Sequence, residues 1–269
     1  MVLFPHAKIN LGLQVTEKRN DGFHDIISCL YPIGWCDVLE LIEKEDLRFT
    51  SSGLDIPGSP EDNLCIKAYH LIKNKFDIPP VHIHLHKVVP IGAGLAGGSS
   101  DAVFTLIGLR KMFDLTLSET SLHQMASKLG SDCVFFIEGK PVMASGKGDE
   151  LEDIELSLPD AHLVVVTPPV QVNTGNAYSM LTPAPPSNNL RKALTGNISQ
   201  WQRLITNDFE GPVFRQFPLI AKVKDVLLKE GALYVSLSGS GSSVFGIFKD
   251  KKPSRSWFDD DYSVWKQTF

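Results

Sequence analysis

The 269-residue chain carries 26 basic and 31 acidic side chains, a formal net charge of −5, with 43% apolar and 21% charged residues. A chain of this length can bury a sizeable core and fits one large domain or two intimate ones. The acidic balance argues against a dedicated nucleic-acid or membrane-surface binder, and no run approaches the ~18 apolar residues of a membrane span.

The first predicted element is a strand, because Ile9, Leu11, Leu13 and Val15 alternate with Asn10, Gly12, Gln14 and Thr16. The stretch before it, with Pro5 and Lys8, lacks the uninterrupted apolar core and cleavage site of a signal peptide. A turn follows at Asn20-Asp21-Gly22, and residues 26–42 hold two strands. "SSGLDIPGSPEDN" reads as a loop, with Ser59 or Asp62 capping a helix over "LCIKAYHLIKNKF". That helix is expected to bury Leu64, Ala68, Leu71 and Ile72.

"VHIHLHKVV" is a strand with Val81, Ile83 and Leu85 on one face and His82, His84 and His86 on the other. No carboxylate or cysteine lies close in sequence to complete a metal site, and alternation alone accounts for a half-exposed strand. Cys29, Cys36, Cys65 and Cys133 have no Cys-x-x-Cys spacing and resemble no zinc cluster; they read as buried thiols of a cytoplasmic protein.

A well-buried helix is predicted from about Ser99 to Met112, and a second over "SETSLHQMASKLG", capped by Ser118 and closed by Gly130. Turns and short strands follow to about 155. Beyond 160 come a buried strand, "HLVVVTPP", and a proline- and asparagine-rich connection. Helical stretches near 190–206 and 216–230 lead to two short strands around a glycine-serine turn, "LYVSLSGSGSSVFGIF". The tail after "FKDKKP" carries no readable motif. The order is α+β, in two segments.

"PIGAGLAGGSSDA" places four glycines and two alanines in seven positions, ahead of an apolar helix. Gly92, Gly94 and Gly97 satisfy G-x-G-x-x-G. A dinucleotide fingerprint, however, belongs in the first βαβ unit with an acid about 20 residues on, and this stretch lies 90 residues in. A Walker A loop needs Gly-Lys-Ser/Thr, and here the run ends Gly98-Ser99-Ser100. A plain turn with packing glycines is the bland alternative. The remaining reading is a phosphate cradle, in which unpaired amides and the positive end of a helix dipole face one anion.

These residues resemble the phosphate loop of the GHMP kinases, the superfamily of galactokinase, homoserine kinase and mevalonate kinase. "PHAKINLGL" resembles the first motif of that family and "SLSGSGSSVFGIF" its third, so three motifs occur in order over nearly the whole chain. The resemblance implies a two-lobed α+β GHMP kinase fold. Residues 1–155 would form a ribosomal protein S5 domain 2-like, ATP-binding lobe, and residues 156–269 a ferredoxin-like lobe. "NDGFHDI", "PEDNL", "LGSDCVFF" and "NTGNAY" narrow the resemblance to members that use ATP to phosphorylate a tertiary hydroxyl of a CDP-linked sugar alcohol in non-mevalonate isoprenoid synthesis. Homoserine and mevalonate kinases have no cytosine for "NDGFH" to bind. A nucleotide sensor or RNA binder on the same scaffold is disfavoured by retention of both Lys8 and Asp132 and by the acidic charge.

Carried over residue by residue, the resemblance makes Asp132 the base that takes the hydroxyl proton and sets Lys8 beside it. Pro90, Gly92, Ala93, Gly94, Leu95, Gly97, Gly98, Ser99 and Ser100 would hold the ATP phosphates, with Asn63 and Lys87 near the nucleotide. Phe23 and Tyr178 would sandwich cytosine while His24 reads its edge, and Asn10 and Thr174 would contact the sugar alcohol or its diphosphate. Mg2+ is expected with the triphosphate, with no dedicated carboxylate cage visible and its ligands open. The implied partner is a small molecule, with no nucleic acid or membrane, and the protein a monomer or weak homodimer. Two positions depart from the family pattern: Phe23 stands where tyrosine is common, and Ala96 where glycine is common. Alanine fits at 96 if its φ is negative or if the phosphate does not press on it.

Overall fold

The computed structural model describes residues 1–269. The strands are β1 (Val2–Leu3), β2 (His6–Lys18), β3 (His24–Cys36), β4 (Val38–Glu43), β5 (Arg48–Gly53), β6 (Val81–Lys87), β7 (Val142–Ser145), β8 (Glu150–Asp153), β9 (His162–Thr167), β10 (Tyr234–Leu237), β11 (Val244–Phe248) and β12 (Ser263–Thr268). The α-helices are α1 (Leu64–Lys73), α2 (Gly97–Met112), α3 (Glu119–Leu129), α4 (Phe135–Glu138), α5 (Thr174–Ser179), α6 (Leu190–Leu194), α7 (Trp201–Leu204), α8 (Glu210–Gln216) and α9 (Pro218–Lys229). The chain divides into two compact units. One comprises Met1–Ala7, Gly34–Ile91 and Ala96–Gly139, the other Lys8–Ile33, Gly92–Leu95 and Lys140–Phe269.

The first unit is built on the sheet β1-β4-β6-β5. Val81, Ile83 and Leu85 of β6 are buried, and the three histidines face outward. The stretch expected as a loop opens on the last three residues of strand β5, which pairs in parallel with β6. Its polar sequence obscured it, and the partner strand explains the polarity. Thr50 Oγ1 lies 2.7 Å from His82 Nε2 and 2.8 Å from His84 Nδ1, while Ser52 Oγ lies 3.0 Å from both His84 Nε2 and His86 Nδ1. Hydroxyls of the neighbouring strand thus partner the imidazole row, and no group of three or more His, Cys, Asp or Glu side chains is arranged to hold a metal.

Helices α1, α2 and α3 pack together, with α2 also against β4. The cap of α1 is Asn63, whose Oδ1 accepts from the Cys65 amide at 2.9 Å. Ser59 and Asp62, the expected caps, flank and end a 3-10 turn, Pro60–Asp62. The buried face of α1 is Cys65, Ile66, Ala68, Tyr69 and Ile72, rotated from the expected one. Helix α2 crosses the sheet at Gly108, where a Cβ would come within 2.5 Å of Leu3 and 2.6 Å of Leu41. Helix α3 begins and ends as expected, with Ser118 Oγ accepting from the Ser121 amide at 3.2 Å and Gly130 at its close.

In the second unit, an antiparallel sheet runs β10-β11-β9-β12. Numbered by their order in the chain, these four strands lie 4-1-3-2, the ferredoxin-like arrangement. Leu163 to Val166 of β9 have no exposure, and α9 lays Ile220, Val223 and Leu227 over the sheet. The tail that gave no motif forms edge strand β12, registered from Ser263 opposite Thr167 to Thr268 opposite His162. The proline-rich connection contains α5, started by Asn173 Oδ1 accepting from the Asn176 amide at 3.0 Å. The first long helical stretch breaks into α6 and α7, the second is the single helix α9, and α8 precedes it as an additional helix. A further sheet, β2-β3-β7-β8, lies largely in this unit.

Candidate active site

In the first unit the glycine-rich loop ends at the N-terminus of α2. The Ser100 amide donates to Ala96 O at 3.0 Å, whereas the amides of Gly97, Gly98 and Ser99 precede the helical ladder. These donors, at the positive end of a 16-residue helix, form a collar suited to an anion. Gly98 is exposed and Ser99 half-buried, while Ser100 turns inward, fully buried, with its Oγ lacking a hydrogen-bond partner. Of the two hydroxyls expected at the phosphates, therefore, only that of Ser99 is presented. Leu64, next to Asn63, reaches the position of a Gly98 Cβ at 4.0 Å, which brings the head of α1 to the collar.

Asp132 lies in the 3-10 turn Ser131–Cys133 that follows α3, half-buried, on a turn packed against α2. Ser99 Oγ and Cys133 Sγ flank one point beside Gly130, 3.9 Å and 3.5 Å from where its Cβ would be, and burial pushes the Cys133 thiol up to about 11, the Asp132 charge adding to the rise. The turn bearing Asp132 and the first turn of α2 therefore meet at Ser99. Lys87, expected near the nucleotide, is 3% exposed and donates to Asp37 Oδ2 at 2.5 Å and Asp101 Oδ2 at 2.7 Å. Its ammonium is engaged by carboxylates beneath the collar. Ala96 sits at φ 53°, ψ 29°, which removes the negative-φ alternative and leaves the one in which the phosphate does not press on it: the alanine holds a left-handed conformation ahead of the helix.

In the second unit, Lys8 and Asn10 are 4% and 3% exposed on β2. Lys8 Nζ donates to Asn10 Oδ1 at 2.6 Å and to Gly94 O at 3.0 Å, and the Lys8 amide donates to Leu95 O at 3.1 Å. Asn10 Nδ2 donates to Ser28 Oγ at 2.8 Å, and Ser28 Oγ to Gly12 O at 2.7 Å. Ser238 Oγ also donates to Gly94 O, at 2.9 Å, and the Ser243 amide to Ala93 O at 3.1 Å. The first motif, the middle of the glycine loop and the last glycine turn thus converge on Gly94. A Cβ there would lie 2.0 Å from Ser238 O, and φ is +78°, so glycine is required twice over. Sequence reasoning missed Asn207, whose Nδ2 donates to Leu237 O and Gly239 O, both at 2.8 Å, bracing that last turn. Thr174 Oγ1 lies 3.1 Å from Ser240 Oγ in the same turn.

The aromatic residues form a separate corner of this unit. His24 stacks on Tyr178, with centroids 4.7 Å apart and planes 21° apart, and Tyr178 meets the edge of Phe209 at 4.9 Å. Phe23 is 56% exposed and carries the Lys147 ammonium 5.1 Å from its centroid. The histidine expected at a base edge therefore covers one face of Tyr178.

Comparisons with known proteins place the chain in a family. Residues 63–140 match the family model of the GHMP kinases N terminal domain, and residues 189–256 that of the GHMP kinases C terminal region. The fold is that of a small-molecule kinase of the GHMP class. A 4-diphosphocytidyl-2-C-methyl-D-erythritol kinase of Parabacteroides distasonis is 46% identical over 249 residues, 93% of this chain and 92% of the relative. One of Cytophaga hutchinsonii is 46% identical over 252 residues, 93% of each chain. A crystal structure of 4-(cytidine 5'-diphospho)-2C-methyl-D-erythritol kinase superposes with a TM-score of 0.82 at 29% identity, covering 100% of this chain and 98% of that one. The Methanococcus jannaschii mevalonate kinase, at 13% identity and a TM-score of 0.72, shares the fold, covering 99% of this chain and 97% of its own. The chain belongs to the 4-diphosphocytidyl-2-C-methyl-D-erythritol kinase family of the GHMP kinases.

Proposed function

We propose that this chain transfers the γ-phosphoryl group of ATP to the 2-hydroxyl of 4-diphosphocytidyl-2-C-methyl-D-erythritol, a step of the methylerythritol phosphate route to isoprenoid precursors. The observation that carries this reading is the meeting, at Ser99, of the α2 amide collar and the turn bearing Asp132. Phosphoryl transfer demands alignment and charge neutralisation more than covalent chemistry from the protein. The collar amides of Gly97, Gly98 and Ser99 supply fixed donors for phosphate oxygens, and Gly92, Ala93, Gly94 and Leu95, with Pro90 ahead of them, complete the loop. Asp132 accepts the proton of the acceptor hydroxyl, and Lys8, held by Asn10 and Gly94, supplies positive charge to the transferring group. Asn63 borders the nucleotide.

Mg2+ travels with the triphosphate and offsets its charge; Ser99 Oγ and Asp132 are the oxygen donors at the collar that would face it. Cytosine stacks on Tyr178 as the His24 imidazole swings from the ring face to the base edge, and Phe23 closes the other side. Thr174 and Asn10 contact the diphosphate or the alcohol. The matched segments fall on either side of residue 155, which supports division into an ATP-binding domain, 1–155, and a C-terminal domain, 156–269. No helix is long and apolar enough to cross a membrane. On the resemblance and the acidic charge, the protein is read as a cytoplasmic monomer or weak homodimer acting on small molecules and not on nucleic acid.

The test is ADP release from purified protein with ATP and Mg2+ and, in separate reactions, the CDP-linked alcohol, mevalonate or homoserine. Turnover is expected with the CDP-linked alcohol alone; turnover confined to mevalonate or homoserine overturns the assignment.

A further inference from the structure

Three fully buried charges lie directly beneath the collar. Lys87, Asp37 and Asp101 have side-chain exposures of 3%, 0% and 3%, and the lysine bridges the two carboxylates. Their attachments are specific to the loop. Asp37 Oδ1 accepts from the amides of Val88 at 2.6 Å and Val89 at 2.8 Å, the two residues entering the loop. Asp101 stands in the first turns of α2, where the loop leaves. Between them the Lys87 ammonium sits 2.9 Å from where a Gly97 Cβ would be. One cation therefore ties the entrance of the loop, through Asp37, to its exit, through Asp101, and fills the space beneath the first collar residue.

We propose that Lys87, Asp37 and Asp101 are positioning residues for the nucleotide: a buried strut that sets the spacing of the collar amides, with Lys87 acting through the two carboxylates and not as a ligand of the phosphates or the base. This rests on the collar being the ATP site. The electrostatics agree with a permanent cluster. Burial works against the Lys87 charge, but the two carboxylates outweigh it and hold its pKa above the ordinary lysine value. Two carboxylates and one ammonium leave an excess negative charge, and burial pushes Asp101 up to about 7. Its Oδ1 has no hydrogen-bond partner. Cys65 and Thr105, which also lie close, add no compensating charge.

The test is a double-mutant cycle on the full chain, with Lys87→Met, Asp101→Asn and the pair. It reads the Kd of a fluorescent ATP analogue, the Kd of CDP and the Tm. Residues acting through a shared strut change coupling by a few-fold to about 30-fold. Asp101→Asn is expected to weaken the ATP analogue about 3- to 10-fold and Lys87→Met about 10-fold or more, with CDP affinity within about 2-fold in each. The pair should weaken nucleotide binding by much less than the product of the two single effects, because neutralising Asp101 relieves a carboxylate that Lys87→Met strands. An equal loss from Lys87→Met in both backgrounds would make Lys87 a direct ligand and overturn the proposal. A lowered Tm with unchanged nucleotide affinity would reduce the cluster to fold stability, and would overturn it too. If Lys87→Met fails to fold, Asp101→Asn and Lys87→Arg, read the same way, decide the matter: unaltered nucleotide affinity in both sinks it. Nucleotide binding is read without an acceptor, so a wild type that binds the ATP analogue but does not phosphorylate the CDP-linked alcohol fails the activity assignment and leaves this proposal standing.

Discussion

At the head of α2, the proposed ATP site, the backbone carries the donors and the residue types follow from it: Gly97 lies over the Lys87 ammonium, and Ser99 meets the turn of Asp132. In the proposed base site, Phe23, His24 and Tyr178 stand on an exposed turn and a six-residue helix, and the side chains pack on one another or beneath Lys147. The first region is preorganised by buried hydrogen bonds and charges. The second is assembled from rings that stack on one another or lie beneath an ammonium. Preorganised donors stabilise developing charge without moving during the reaction, whereas stacking rings select a base by contact area. Damage to the collar region should therefore appear in ATP affinity, kcat and stability, and damage to the aromatic corner in KM for the CDP-linked alcohol.

The sharpest break in that contrast is Asp132→Asn. The amide keeps the shape but takes no proton, so kcat should fall at least ~10²-fold with a modest change in KM. Steady-state kinetics with the CDP-linked alcohol check this, and a near-normal kcat removes Asp132 from the base role. Gly94→Ala comes next. Its Cβ would lie 2.0 Å from Ser238 O on a backbone at φ +78°. Left-handed strain and overpacking together should cost about 3 kcal/mol, read as a shift in denaturation midpoint, with turnover lost in proportion to loop displacement. A Gly94→Ala protein as stable and active as the wild type would show that the convergence of Lys8 and Ser238 on Gly94 O is dispensable.

The buried cluster gives a pH test that the exposed aromatic corner does not share. Burial raises the Asp101 carboxyl to about 7 in the folded chain, against roughly 3.9 when unfolded. Between these values the folded state binds the extra proton, so its stability falls as pH rises from about 4 to about 7, by at most ~1.4 kcal/mol per pH unit from this group, and levels off above. Urea unfolding across that window should show a steeper decline in the wild type than in Asp101→Asn. Parallel curves for the two would remove Asp101 as the source.

How much of this was legible follows the same division. Glycines, caps and alternation are local requirements, so the phosphate loop, β2, β6, α2, α3 and the last glycine turn could be read from neighbouring residues. Partners distant in sequence could not. Asp37 is 50 residues from Lys87 and Asn207 is 30 from Leu237, and neither stands in a pattern that announces its contact. Lys87 was read as a nucleotide neighbour because its position beside the loop was visible and its two carboxylates were not. Strands β5 and β12 stayed hidden because edge strands are polar on their open side. The resemblance to a family located Asp132 and Lys8; their residue types alone fit a turn acid and a strand lysine.

On the aromatic side the expected effects are smaller. Tyr178→Leu keeps bulk but removes the stacking face, and aromatic stacking is worth about 0.5–1.5 kcal/mol beyond buried area. KM for the CDP-linked alcohol should rise roughly 3- to 10-fold with kcat little altered, while Phe23→Tyr, which restores the residue common in the family, should change KM by less than about 2-fold. Substrate-saturation curves separate the two. A Tyr178→Leu enzyme that loses kcat instead would place Tyr178 in alignment of the acceptor and blur the distinction between the regions.

The smallest effect is the most local. Ala96 stands at φ 53° in the turn into α2, a conformation that costs an L-residue roughly 1–2 kcal/mol and glycine nothing. Ala96→Gly removes that strain but loosens the unfolded chain by about 0.4–1 kcal/mol. The net change in stability should therefore lie between zero and about +1 kcal/mol, seen as a Tm shift of ~0–4 °C upward for a chain of this size. The same substitution tests whether the alanine methyl presses on the triphosphate. If it does, the glycine variant binds ATP more tightly than its stability gain explains; if ATP affinity is unchanged while Tm rises, the strain belongs to the backbone alone, and the collar accepts alanine at this position because the phosphates lie against Gly97 and Gly98.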